Sequence, residues 1–131
     1  MFFNKLIPSL IWALFILLLC ALPGSVIPEL TFLDWLKPDK LVHLFLFGVL
    51  SFLLIKGLAE QTAQKFFYSN PKVLSILISA LYGVFIELLQ EFIFTSRHGD
   101  VYDAIADAIG ALIGLWVYDL WQKRKVAGKE A

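Results

Sequence analysis

Four apolar stretches stand out along the chain, at Leu6–Leu22, Leu41–Ala59, Val73–Phe94 and Ala104–Trp121, separated by short polar connections. They run to 17, 19, 22 and 18 residues, within the roughly 17–25 that an α-helix needs to cross a bilayer. None alternates apolar with polar positions, so the pattern predicts helices rather than strands. An open sheet would also leave backbone groups unpaired in lipid. The connections are 18, 13 and 9 residues long, too short for a soluble domain. The predicted fold is an all-α membrane protein, a single domain over residues 1–131 with four transmembrane helices. The first stretch, with Lys5 ahead of it, could be read as a signal peptide. However, Cys20 to Ser25 offer neither an A-x-A cleavage site nor a good lipobox, and a retained helix is expected.

Composition strengthens this picture. Apolar residues make up 60% of the chain and charged residues 17%, against about 45–50% and about 25% in ordinary soluble domains. The 11 Lys and Arg balance the 11 Asp and Glu, which leaves no basic footprint and no nucleic-acid partner. A single Cys20, inside an apolar run, excludes a disulfide framework and a cysteine metal cluster. The placement of the cations predicts the orientation. With the N-terminus inside, Lys5, Lys56, Lys65, Lys72, Lys123, Arg124, Lys125 and Lys129 are cytoplasmic, and only Lys37, Lys40 and Arg97 are outside. Eight against three places both termini in the cytoplasm.

In this topology the unusual polar residues collect near the outer face. Asp39, Lys40 and His43 open the second span, Glu87, Gln90 and Glu91 lie in the outer part of the third, and Asp103 and Asp107 begin the fourth. Arg97, His98 and Asp100 occupy the loop between the last two. Spacing shows which faces they share. Lys40, His43 and Phe47 fall on one helix stripe, as do Ser75, Ser79, Gly83, Glu87 and Glu91. Asp103, Asp107, Gly110 and Gly114 follow spacings of four, three and four, and Gly110 to Gly114 is a G-x-x-x-G. Gly83, Gly110 and Gly114 are the predicted helix-packing positions, with Leu112 facing lipid. The acids therefore point into the bundle.

Glu87, deep in its span, is costly as a carboxylate unless paired or neutralised, and Lys40, His43 and Arg97 are its expected partners. Three readings of the cluster stay open. The groups can simply pair to hold three helices together. They can form a binding or catalytic pocket, the default for intramembrane ionisable groups. Or His43, Glu87, Asp103 and Asp107 can hold a metal, since carboxylate and imidazole suit zinc or manganese. No compact motif such as H-E-x-x-H supports the last reading, so no metal or cofactor is assigned.

Taken in order, Asp39-Lys40-x-x-His43, Tyr82-Gly83-x-x-x-Glu87-x-x-Gln90, Arg97 and Asp103-x-x-Ala106-x-x-x-Gly110-x-x-x-Gly114 resemble the VanZ-like family, from about Asp39 to Leu120. Asp107 departs from that pattern, which more often has Asn there, and adds a charge. The resemblance implies a small multi-pass protein of the bacterial plasma (inner) membrane. Its namesake is linked to low-level resistance to teicoplanin, and glycopeptides act outside the membrane on cell-wall precursors. The implied partners are membrane lipids and a lipid-linked cell-wall precursor.

Three functions follow as expectations. In the first, an extracytoplasmic pocket of Asp39, Lys40, His43, Glu87, Gln90, Arg97, Asp103 and Asp107 binds a cell-envelope head group and modulates glycopeptide susceptibility. In the second, the protein is an intramembrane enzyme, with Glu87 or Asp103 as general base and His43, Lys40 and Arg97 holding a phosphate or carboxylate. In the third, the same acids serve as a proton or cation relay in a small oligomeric transporter.

Overall fold

In a computed structural model the chain is helical, and the structure describes residues 2–23, 38–61, 70–94 and 98–130. A short 3-10 helix at Phe2–Lys5 precedes α1 (Ile7–Ala21), α2 (Pro38–Ala59), α3 (Pro71–Phe92) and α4 (Val101–Glu130). Pro38 and Pro71 stand at the first position of α2 and α3, where the missing N–H costs no helix bond and the fixed φ is already helical. The last helix starts before Ala104 because Asp100 caps it, its Oδ1 accepting the Tyr102 N–H at 2.8 Å. It also continues past Trp121, since no proline interrupts the basic segment that follows. There the ammonium groups of Lys56 and Lys125 stand 5.7 and 4.9 Å from the Trp121 ring centroid.

Among the described residues, three helices are long and apolar enough to cross a membrane: α2 and α3 with 22 residues each, and α4 with 30. The first helix, α1, is not. Its 15 residues rise about 22 Å, against a hydrocarbon core of about 30 Å. The expected span at Leu6–Leu22 is observed as this shorter apolar helix, its bounds within one residue of the expected ones. Its end is set locally: Leu22 leaves the helix at φ −66°, ψ 139°, the extended state that a residue before proline prefers.

Contacts between helices set their directions. Lys5 lies 3.4 Å from Glu60, and Lys72 lies 2.7 Å from Asp119. The start of α1, the end of α2, the start of α3 and the later part of α4 therefore share one end of the bundle. At the opposite end, Lys40 of α2 meets Asp103 of α4. Successive helices alternate in direction.

The central helix is α2, with half of its span buried and its most extensive interface against α4. Glycine makes that approach possible. A Cβ on Gly110 would overlap the Leu44 carbonyl, and one on Gly114 would overlap the Gly48 carbonyl. In lipid no hydrophobic force drives helices together, so close backbone packing has to hold them. Ile16, Phe47, Leu50 and Ile86 fill the interior, while Leu81, Leu88, Leu112 and Trp116 face outward. Polar links tie α1 to the other helices. Trp12 Nε1 donates to the Leu46 carbonyl at 2.9 Å, and the Tyr82 hydroxyl donates to the Ala13 carbonyl at 2.7 Å.

Candidate functional site

Ionisable side chains from α2, α3 and α4 meet at the end of the bundle opposite Lys5, in two layers. The outer layer is built on Lys40, in the first turn of α2. Its ammonium donates to Asp103 Oδ1 at 2.6 Å and to Asp100 Oδ2 at 2.8 Å. It also stands 5.5 Å from the Tyr102 ring centroid. Asp103 is buried and Asp39 is exposed. Each offers a carboxylate oxygen to a group in which these atoms and a His43 ring nitrogen lie within 4.8 Å of one another.

The inner layer is His43, Glu87 and Asp107, which are 2%, 7% and 0% exposed. One helix turn separates His43 from Lys40, so the imidazole lies one turn deeper in the bundle. Its Nδ1 is 3.0 Å from Asp107 Oδ1 and 3.7 Å from Glu87 Oε1. Gly83 makes room for this layer: a Cβ there would come within 2.7 Å of Asp107 Oδ2. The predicted packing glycine of α3 therefore packs against a carboxylate of the cluster.

The segment leading into α4 folds over the inner layer. Asp100 donates its N–H to Glu87 Oε2 at 2.8 Å, and Gly99 donates its own to Glu91 Oε2 at 2.9 Å. Glycine is needed at this point, because a Cβ on Gly99 would lie 2.7 Å from the Glu87 carbonyl oxygen. Two carboxylates one turn apart on α3 thus hold two successive backbone amides.

Most of the polar residues singled out by spacing are brought together. Asp39, Lys40, His43, Glu87, Asp103 and Asp107 all lie at this end of the bundle. Their pairing differs from the expectation. Lys40, expected against Glu87, is engaged by Asp100 and Asp103, while Glu87 takes a backbone amide and approaches His43. Gln90, three residues beyond Glu87, donates its amide N–H to the Cys20 carbonyl at 3.2 Å and so holds α1. Arg97 lies outside the described residues.

Asp100 was not among the predicted site residues, yet it links the layers. One oxygen caps α4, the other binds Lys40, and its N–H reaches Glu87. Its position was legible as a helix-start signal, an Asp directly before an apolar helical run. The ion pair was not, because Lys40 is 60 residues away in sequence.

The charge balance is acidic. Asp39, Glu87, Asp100, Asp103 and Asp107 surround Lys40 and His43 among the described residues. Two buried carboxylate oxygens, Glu87 Oε1 and Asp107 Oδ2, have no hydrogen-bond donor among the described residues. Such atoms are rare in folded proteins and costly where they occur.

The bundle and its polar end define a class: a small helical membrane protein, closed by glycine contacts, with an acid-rich cluster at one end. The chain belongs to the VanZ-like family, whose model, described as VanZ/LLP1, matches residues 5–122. No match was found among curated proteins or among solved structures.

Proposed function

We propose that the chain is a bacterial plasma-membrane protein with both termini in the cytoplasm. Its outward-facing polar end binds a lipid-linked or cell-wall head group and thereby modulates glycopeptide susceptibility. The orientation rests on the eight-to-three distribution of Lys and Arg. Lys5, Lys56 and Lys72 lie toward the end of the bundle away from the polar cluster, consistent with that count. Single cysteines at His98 and Lys129, in a Cys20→Ala background, test it with an impermeant thiol reagent on intact cells. Labelling is expected at position 98 and not at 129, and the reverse pattern would turn the site toward the cytoplasm.

The observation that carries the reading is an apolar groove beside the polar rim. Leu44, Phe45, Val49 and Phe52 of α2 and Ile113 and Val117 of α4 line it, around a volume of about 380 Å³. Lys40, Leu44 and Gly48 are spaced by four on one face of α2, so the groove continues the stripe that begins at the Lys40 ammonium. A molecule with a polar head and an apolar tail fits both parts. The Lys40 ammonium meets the phosphate of the head group, and Asp39 and Asp103 accept from its hydroxyl or amide donors, with His43, Glu87 and Asp107 beneath.

Filling the groove tests this. Ile113→Trp should reduce several-fold the prenyl-phosphate-linked lipid that copurifies in nanodiscs, measured by mass spectrometry. Leu112→Trp, on the lipid-facing side, should leave it unchanged. Equal retention by the two variants would sink the proposal.

Glu87 Oε1, buried without a donor among the described residues and 3.7 Å from the imidazole, favours a second reading. In that reading the protein is an intramembrane enzyme with Glu87 as general base and His43 and Asp103 as further candidates. Turnover of the retained lipid, abolished by Glu87→Gln while binding persists, would establish it.

A further inference from the structure

We propose that His43, Glu87 and Asp107 form a binding site for a divalent metal cation of the zinc or manganese kind. The three side chains come from α2, α3 and α4, and each is more than nine-tenths buried. Each offers one ligand atom, and the three atoms lie within 4.8 Å of one another. The imidazole stands 3.0 Å from one carboxylate and 3.7 Å from the other. Donors bound about 2.0–2.1 Å from a tetrahedral ion are about 3.3 Å apart, so these spacings bracket what a shared cation requires.

Two observations point to a positive group missing among the described residues. Glu87 Oε1 and Asp107 Oδ2 are buried with no donor among the described residues. Lys40, the lysine at this end among the described residues, is already taken by Asp100 and Asp103. With a neutral imidazole, the ionised carboxylates of Asp107, about 9 Å along α4 from its start at Val101, and of Glu87 on α3 place two negative charges where burial is expensive. One divalent cation cancels both, and it takes the place of the proton between His43 and Asp107.

A second group, Asp39, His43 and Asp103, has a similar spacing. It is less suited, because Lys40 already neutralises Asp103 at 2.6 Å. Imidazole with two carboxylates suits zinc, manganese or ferrous iron rather than calcium. Three protein donors also leave a coordination position open, as in reactive rather than structural sites. The lack of a linear motif is no objection, since each ligand sits on a different helix.

The test uses the full chain in detergent, stripped with a chelator and then dialysed against zinc or manganese chloride alone. About one bound ion per chain is expected by elemental mass spectrometry, with a rise in melting temperature. Asp107→Asn and Glu87→Gln should each weaken binding at least on the order of 100-fold, because even residues that merely support a metal ligand matter 10–100-fold. Glu87→Gln keeps the acceptor for the Asp100 N–H, so it serves as the folded variant if Asp107→Asn does not assemble. Glu60→Gln, at the exposed pair with Lys5 on the opposite end of the bundle, should bind as the unmodified protein does. Absence of uptake would overturn the proposal. So would uptake that survives Glu87→Gln but is lost in Glu60→Gln, which would place the ion at the surface. No head group enters the experiment, so its outcome is separate from that of the lipid-binding reading.

Discussion

Gly110→Leu should prevent α2 and α4 from closing, and the variant should be recovered in low yield or aggregated. The first atom of the new side chain already overlaps the Leu44 backbone carbonyl, and a backbone atom cannot swing aside as a side chain can. Overpacking a well-filled interior costs roughly 1–3 kcal/mol, occasionally more. Here the whole helix must retreat, which also separates Gly114 from Gly48 and Asp103 from Lys40. The expected loss is therefore at or beyond the upper end of that range. Leu112→Ala is the contrast: its side chain is 54% exposed on the outward face, and losing it removes mainly lipid contact. Thermal unfolding in detergent, with recovered yield, compares the two. Matching melting temperatures would show that the glycine face is not an interface.

The second large effect separates Lys40 from Glu87. Lys40→Met leaves the Asp103 carboxylate, 6% exposed, without its ammonium. Breaking a buried pair from one side costs roughly 3–5 kcal/mol. The Lys40 side chain is 24% exposed and some water reaches it, so the lower end of that range is expected.

Glu87→Gln should cost less, under about 1 kcal/mol. The glutamine oxygen still accepts the Asp100 N–H, a net contribution of roughly 0.5–1.5 kcal/mol that is kept. Neither described cation of the cluster is stranded, because Lys40 has two other acids and His43 retains Asp107. The variant should fold and lose binding. The double variant of Lys40→Met and Glu87→Gln should lose about the sum of the two, since they do not pair directly. Rescue of Lys40→Met by Glu87→Gln would mean that the two form one structural salt bridge. The functional reading of Glu87 would then fail.

Length and hydropathy alone were enough to establish a helical membrane protein, because a helix must carry some twenty apolar residues to satisfy its backbone in lipid. Helical spacing likewise placed Lys40 with His43, and Asp107 with Gly110 and Gly114, since faces repeat every three to four residues. Each of these properties is local to one segment. The tertiary structure decided what depends on two segments at once. Counting apolar residues placed a helix at Leu6–Leu22, and one is found at Ile7–Ala21, but only the packed bundle decided that Trp12, Tyr82 and Gln90 would hold it. Periodicity set Gln90 beside Glu87, but only the position of α1 decided that its amide would turn to the Cys20 carbonyl. Proximity in charge suggested Lys40 for Glu87, but the Asp100 cap brought two nearer acids to the ammonium. Most of all, the grouping of His43, Glu87 and Asp107 follows from how closely three helices approach at Gly83 and Gly110. That distance is a property of the packed bundle, and no single helix carries it.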